Sequence, residues 1–171
     1  DVSNQINSGS TTKTAAVTAA TASGTQSNFY GGSYYFNGPT DGASAATNYI
    51  VVADSNSEFA FGTGDFTMEF WVWGNDWTGG SANQDQVIFS HDGTNYGGFY
   101  IPGGTFAYWT SSAYIPSSNK PTLVDDKWYH VAVSRESGTS RVFLDGVLVG
   151  SDSDNTNHPT GSIILAKNPG N

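Results

Sequence analysis

From Phe29 onward the chain is a succession of short apolar runs closed by Gly, Asn, Asp, Ser or Pro at a spacing of roughly 8 to 12 residues, and that rhythm excludes most folds. The runs are Ser33 to Phe36, Tyr49 to Val52, Phe66 to Trp73, Gln86 to Ser90, Gly98 to Ile101, Thr105 to Trp109, Trp128 to Arg135, Ser140 to Leu144, Val147 to Gly150 and Ser162 to Ala166. No helix of ordinary length fits between them. The pattern predicts an all-β chain in which two antiparallel sheets stack as a sandwich. One domain accounts for the 171 residues, since single sandwiches run to about 250.

Residues 1–28 differ in kind. They are dominated by Ser, Thr, Ala, Asn and Gln, offer little to bury, and read as an extended wrapping segment ahead of a sandwich spanning 29–171. A helix over Thr14 to Ala22 is the alternative that the alanines suggest. The interleaved Thr and Val lower that propensity, and no apolar face repeats every three to four residues.

Alternation assigns faces. Along Phe66 to Trp73, Phe66, Met68, Phe70 and Val72 share one side and Thr67, Glu69, Trp71 and Trp73 the other. The first set is predicted core, together with Val131, Val133, Val142 and Leu144. Asp145-Gly146 separates two apolar runs, and that dipeptide favours the type I′ hairpin turn, with positive φ at Gly146 and at Asp145.

Composition narrows the partners. The formal net charge is −9, from 15 acidic against 6 basic side chains, with no Lys or Arg run, so a phosphate backbone would be repelled and nucleic acid is a poor partner. No apolar stretch approaches the roughly 18 to 20 residues that membrane insertion by a helix needs. Cysteine is absent, so neither disulfides nor thiolate metal sites contribute. The chain opens at Asp1 with no initiator Met, and the expectation is a mature, processed or excised segment.

Three segments together resemble the laminin-G-like branch of the concanavalin A-like lectin and glucanase superfamily. They are Ser33-Tyr34-Tyr35-Phe36-Asn37-Gly38 leading to Asn48-Tyr49-Ile50-Val51-Val52; Phe61-Gly62-Thr63-Gly64-Asp65-Phe66-Thr67-Met68-Glu69-Phe70-Trp71-Val72; and Lys127-Trp128-Tyr129-His130-Val131-Ala132-Val133-Ser134-Arg135 followed by Arg141-Val142-Phe143-Leu144-Asp145-Gly146. The resemblance implies a jelly-roll sandwich. It also implies a non-catalytic structural or adhesive module of an extracellular or virion surface assembly, most like copies in phage tail fibres and bacterial surface proteins. Its partner would be a glycan or a neighbouring surface or virion protein, and oligomers are compatible with such a role. Family members carry a first apolar strand and a closing strand that this chain lacks. The expectation is therefore an open sheet position beside Tyr34 to Phe36, filled by flanking residues of a longer chain, by the N-terminal segment folding back, or by another subunit, with the first preferred.

Superfamily glucanases use carboxylates two and four residues apart on one strand as nucleophile and general acid, a pair that hydrolysis with retention needs about 5 Å apart. Here that strand offers Glu69 alone, so no catalytic residue is assigned and the chain is read as no enzyme. His91, His130 and His158 sit in unrelated contexts and support no nucleophilic triad. A sugar platform is another matter, because pyranose C–H faces stack on indole while Glu and His exchange hydrogen bonds with hydroxyls. Glu69, Trp71, Trp73 and His130 could converge on one face, with Trp109 as a neighbour. The competing reading is that loops cover this face and make it a second small core. No cofactor is required. Calcium stays open, because some laminin-G-like relatives bind it, but Asp76, Asp92, Asp152 and Asp154 match no calcium-loop spacing, and no metal ligand is assigned.

Overall fold

The computed structural model describes residues 14–29, 31–37, 47–54, 57–78, 86–93 and 97–169. Among these residues thirteen strands make up nearly all the regular structure: β1 (Ala15–Thr18), β2 (Thr21–Ser23), β3 (Ser33–Tyr35), β4 (Tyr49–Val52), β5 (Phe66–Gly74), β6 (Gln86–His91), β7 (Gly98–Ile101), β8 (Ala107–Trp109), β9 (Tyr114–Ile115), β10 (Lys127–Glu136), β11 (Thr139–Leu144), β12 (Val147–Ser153) and β13 (Ile163–Leu165). Among the described residues one 3-10 turn, Pro102–Gly104, follows β7. All-β architecture is thus confirmed. A seven-stranded antiparallel sheet in the order β1-β4-β13-β6-β7-β8-β9 accompanies a four-stranded sheet, β12-β11-β10-β5, and a small ribbon, β2-β3.

The two large sheets are held together by the predicted inner faces. Phe66, Val131, Val133 and Val142 are buried, and Met68, Phe70, Val72 and Leu144 pack half-buried against the same cluster. Phe70 on β5 reaches across to Phe89 on β6 and Phe99 on β7, with ring centres 5.9 and 5.5 Å apart. Phe99 then stacks on Phe106 at 5.3 Å. Aromatic bridging of this kind replaces the disulfide that the chain cannot form, because each ring buries large apolar area and adds favourable edge or offset contacts.

Two hairpins fix the register of the four-stranded sheet. Asp145 and Gly146 adopt φ of 50° and 77° between β11 and β12, the type I′ geometry that Asp-Gly predicts. Ser137 and Gly138, at 49° and 72°, make the equivalent turn between β10 and β11. In consequence Val131 lies opposite both Leu144 and Phe70, and His130 lies opposite Trp71.

The N-terminal segment is extended over its described part. β1 pairs with β4, and β2 pairs with β3 through Thr21 opposite Tyr35 and Ser23 opposite Ser33. No helix forms over Ala15–Thr18 or Thr21–Ser23. Of the fillers considered for the position beside β3, the N-terminal segment supplies β2 along one of its edges.

A buried ion group closes one end of the sandwich. Arg135 is 1 % exposed; its Nε and two Nη atoms donate to the carbonyls of Gly64, Thr156 and Gly62 at 2.7–2.8 Å. Asp154 lies 3.9 Å from the guanidinium and accepts from Ser140 Oγ at 2.6 Å and from the Thr156 N–H at 3.1 Å. The guanidinium also covers the Phe66 ring, 4.7 Å from its centre. A charge this deep is tolerated only because every face of it has a partner.

Candidate functional site

The outward face of the four-stranded sheet carries most of the expected site. Because β5 alternates, Glu69, Trp71 and Trp73 leave the core side, and pairing with β10 sets Ala132, His130 and Trp128 opposite them in that order. His130 Nε2 stands 3.5 Å from Glu69 Oε2, a diagonal pair across neighbouring strands. The Trp71 ring lies 5.2 Å from the His130 ring and meets the Phe29 ring edge-on at 5.7 Å. Trp71 is 42 % exposed and the Glu69 side chain 62 %. These two residues are therefore not sealed beneath loops as a second core would require.

Beside Trp71 the surface dips into an open depression of about 500 Å³ lined by Trp71, Trp128, His130, Asp145 and Gly146. Asp145 welds the hairpin turn to the site. Its N–H donates to the His130 carbonyl at 2.8 Å, and its Oδ1 accepts the His130 N–H at 2.9 Å. Its Oδ2 pairs with Lys127 Nζ at 3.0 Å. Partial burial pushes the Asp145 carboxyl upward, but the His130 N–H and the Lys127 ammonium together outweigh it and hold the group below its ordinary value. Lys127 is raised in turn, chiefly by its hydrogen bond to Asp145.

Trp128 and the Asp145-Gly146 turn were missed as site residues. Trp128 carries a readable signal, since it lies two residues before His130 on one strand and must share its face. The turn carries none, because Asp-Gly is explained in full by hairpin geometry. Trp73 lies on the same face opposite Trp128 but does not line the depression. Trp109 corrects the expectation of a shared platform. It sits on β8 in the other sheet, alternates with the buried Tyr108, and packs on Tyr114 with ring centres 4.8 Å apart.

The loop aspartates do not gather. Asp76 accepts from Thr78 Oγ1, Asp92 from the Ser162 N–H and Asp152 from the Ser153 N–H, while Asp154 belongs to the Arg135 group. Among the described residues no three His, Cys, Asp or Glu side chains stand close enough to hold a metal ion together. His91 and His158 are buried with ring centres 5.7 Å apart, on the core side rather than beside His130. Burial lowers the pKa of His91 against the opposing pull of the Phe59 carbonyl, Asp92 and Asp54.

A family model described as the concanavalin A-like lectin/glucanases superfamily matches residues 44–171. No curated protein matches the sequence. Among solved structures, domain 4 of an extracellular arabinanase from Geobacillus stearothermophilus, in complex with arabinotriose, superposes with a TM-score of 0.62 at 16 % identity, covering 90 % of this chain and 73 % of that one. The binding domain of botulinum neurotoxin serotype D/C gives a TM-score of 0.59 at 12 % identity, covering 91 % of this chain and 38 % of that binding-domain chain. At these identities the likeness is one of fold.

Proposed function

Taking as premise that this chain belongs to the concanavalin A-like lectin/glucanase superfamily, we propose that it is a non-catalytic module of an extracellular or virion surface that binds a neutral glycan on the outward face of the four-stranded sheet. The observation that carries the reading is the exposed Trp71 ring flanked by the Glu69–His130 pair beside an open depression. An indole face supplies apolar contact to a sugar ring, and the adjoining carboxylate and imidazole exchange hydrogen bonds with its hydroxyls. The arabinotriose in the related arabinanase domain makes a short neutral oligosaccharide a rational first probe. Trp71→Ala should weaken binding about tenfold or more by removing the stacking surface, read by tryptophan fluorescence titration or on a glycan array. No saturable response from the native protein to any neutral glycan would sink the proposal.

The non-catalytic part of this reading is supported by the two carboxylates at the described platform: Glu69 has an imidazole for a neighbour, and Asp145 is committed to the His130 N–H and Lys127, so these two are not arranged as acid and nucleophile. Release of reducing sugar from a β-glucan that stops on Glu69→Gln would overturn this part alone. A second reading, docking of a neighbouring surface protein, is favoured by Val147 and Leu148, which stand 65 % and 52 % exposed just beyond the turn. Concentration-dependent sedimentation would reveal it for a second copy of the chain.

A further inference from the structure

Phe29, in the turn between β2 and β3, belongs to no strand, and 53 % of it faces water. Scattered exposed apolar residues need no explanation, but this one is placed. Its carbonyl accepts from Ser27 Oγ at 2.8 Å and from the Gly32 N–H at 3.5 Å, and its ring meets Trp71 edge-on at 79°. Phe29 and His130 thus both meet Trp71, with ring centres 5.7 and 5.2 Å from it. Trp71 and His130 are register partners on adjacent strands, and His130 lines the depression with Asp145. Phe29 belongs to a segment that the rest of the domain does not require for its core.

From this geometry we infer that Phe29 provides a second sugar subsite beside Trp71, so that the platform selects a neutral oligosaccharide over a monosaccharide. The inference rests on the glycan-binding reading. One ring of the chain sits over Trp71 with its hydroxyls toward Glu69 and His130. The next extends over Phe29, where contact is apolar only. The exposed Glu69 carboxylate disfavours uronate or sialylated chains, because like charges at short range repel even near a surface.

The test is a titration of native protein, Phe29→Ala and Phe29→Tyr with arabinose and arabinotriose, and with glucose and cellotriose, followed by tryptophan fluorescence. The native protein should prefer the trisaccharide to its monosaccharide. In Phe29→Ala that ratio should fall about three- to tenfold, and Phe29→Tyr should restore it. Circular dichroism establishes that the variants remain folded, and Phe29→Tyr keeps the test decisive if the alanine variant does not. An unchanged ratio in Phe29→Ala overturns the subsite, as does a rise in trisaccharide affinity, which would make Phe29 a cover over Trp71. If neither these probes nor any neutral glycan on an array binds the native protein, the glycan reading itself fails, and the two failures are thereby distinguished.

Discussion

Arg135 was legible in the sequence only as the last residue of a strand motif, and nothing in its neighbours announced that it would be fully buried. Its three carbonyl acceptors come from residues 62, 64 and 156, brought together by tertiary folding alone. Removing one side of such a group leaves the other desolvated and unpaired. Arg135→Met should therefore destabilise the domain by about 3 to 5 kcal/mol in urea unfolding, and Arg135→Lys should recover only part, since one ammonium nitrogen cannot reach the three acceptors that separate guanidinium nitrogens serve. His91 makes a second residue-scale prediction. Its Nε2 lies 2.9 Å from the Phe59 carbonyl, and its Nδ1 accepts the Gly93 N–H at 3.3 Å. The carbonyl can only accept, so the proton sits on Nε2 and the ring is neutral. The folded pKa lies below the ordinary 6.5, so the unfolded chain protonates first as pH falls. Stability from this site is complete above 6.5 and declines as pH drops toward the folded value. An NMR titration should show the His91 ring moving below 6.5. His91→Gln should flatten that part of the pH–stability curve.

At the scale of elements, strands were legible where side chains alternate strongly. Phe66 to Trp73 and Trp128 to Arg135 were read to within a residue of β5 and β10, and the Asp145-Gly146 turn was read with both its positive φ angles, because each is dictated locally. β1, β2 and β9 were not. Ala15–Thr18 is exposed at every position, so no burial pattern marks it, and its pairing with β4 is a long-range event. The candidate site followed the same division. Glu69, Trp71 and His130 came together because alternation and register are readable, whereas Trp109 was misplaced because its strand's sheet is not. Two substitutions test the hairpin and the core. Gly146→Val places a β-branched residue at φ 77° and should cost about 2 kcal/mol or more. As Asp145 ties the same turn to His130, it should also weaken glycan binding. Phe70→Ala should cost about 3 kcal/mol or more by opening a cavity against Phe89 and Phe99, read as a lowered urea midpoint.

The whole molecule is strongly acidic, and the proposed glycan platform hangs on β5, the terminal strand of its sheet. Nine residues long, β5 reads Phe-Thr-Met-Glu-Phe-Trp-Val-Trp-Gly, with Glu69 as its sole charge. A long apolar terminal strand is a template on which another chain can add by backbone hydrogen bonding, and a charge in its middle is the usual obstacle. The carboxylate assigned to sugar hydroxyls thus has a second consequence, colloidal rather than recognitive. Glu69→Val should drive self-association, seen as rising light scattering and thioflavin-positive material at concentrations where the native protein stays dispersed. Glu69→Gln should lie between the two, since an amide keeps the polarity of the position without its repulsion. The residue proposed to fit this strand for sugar would then also be what keeps copies of the domain apart.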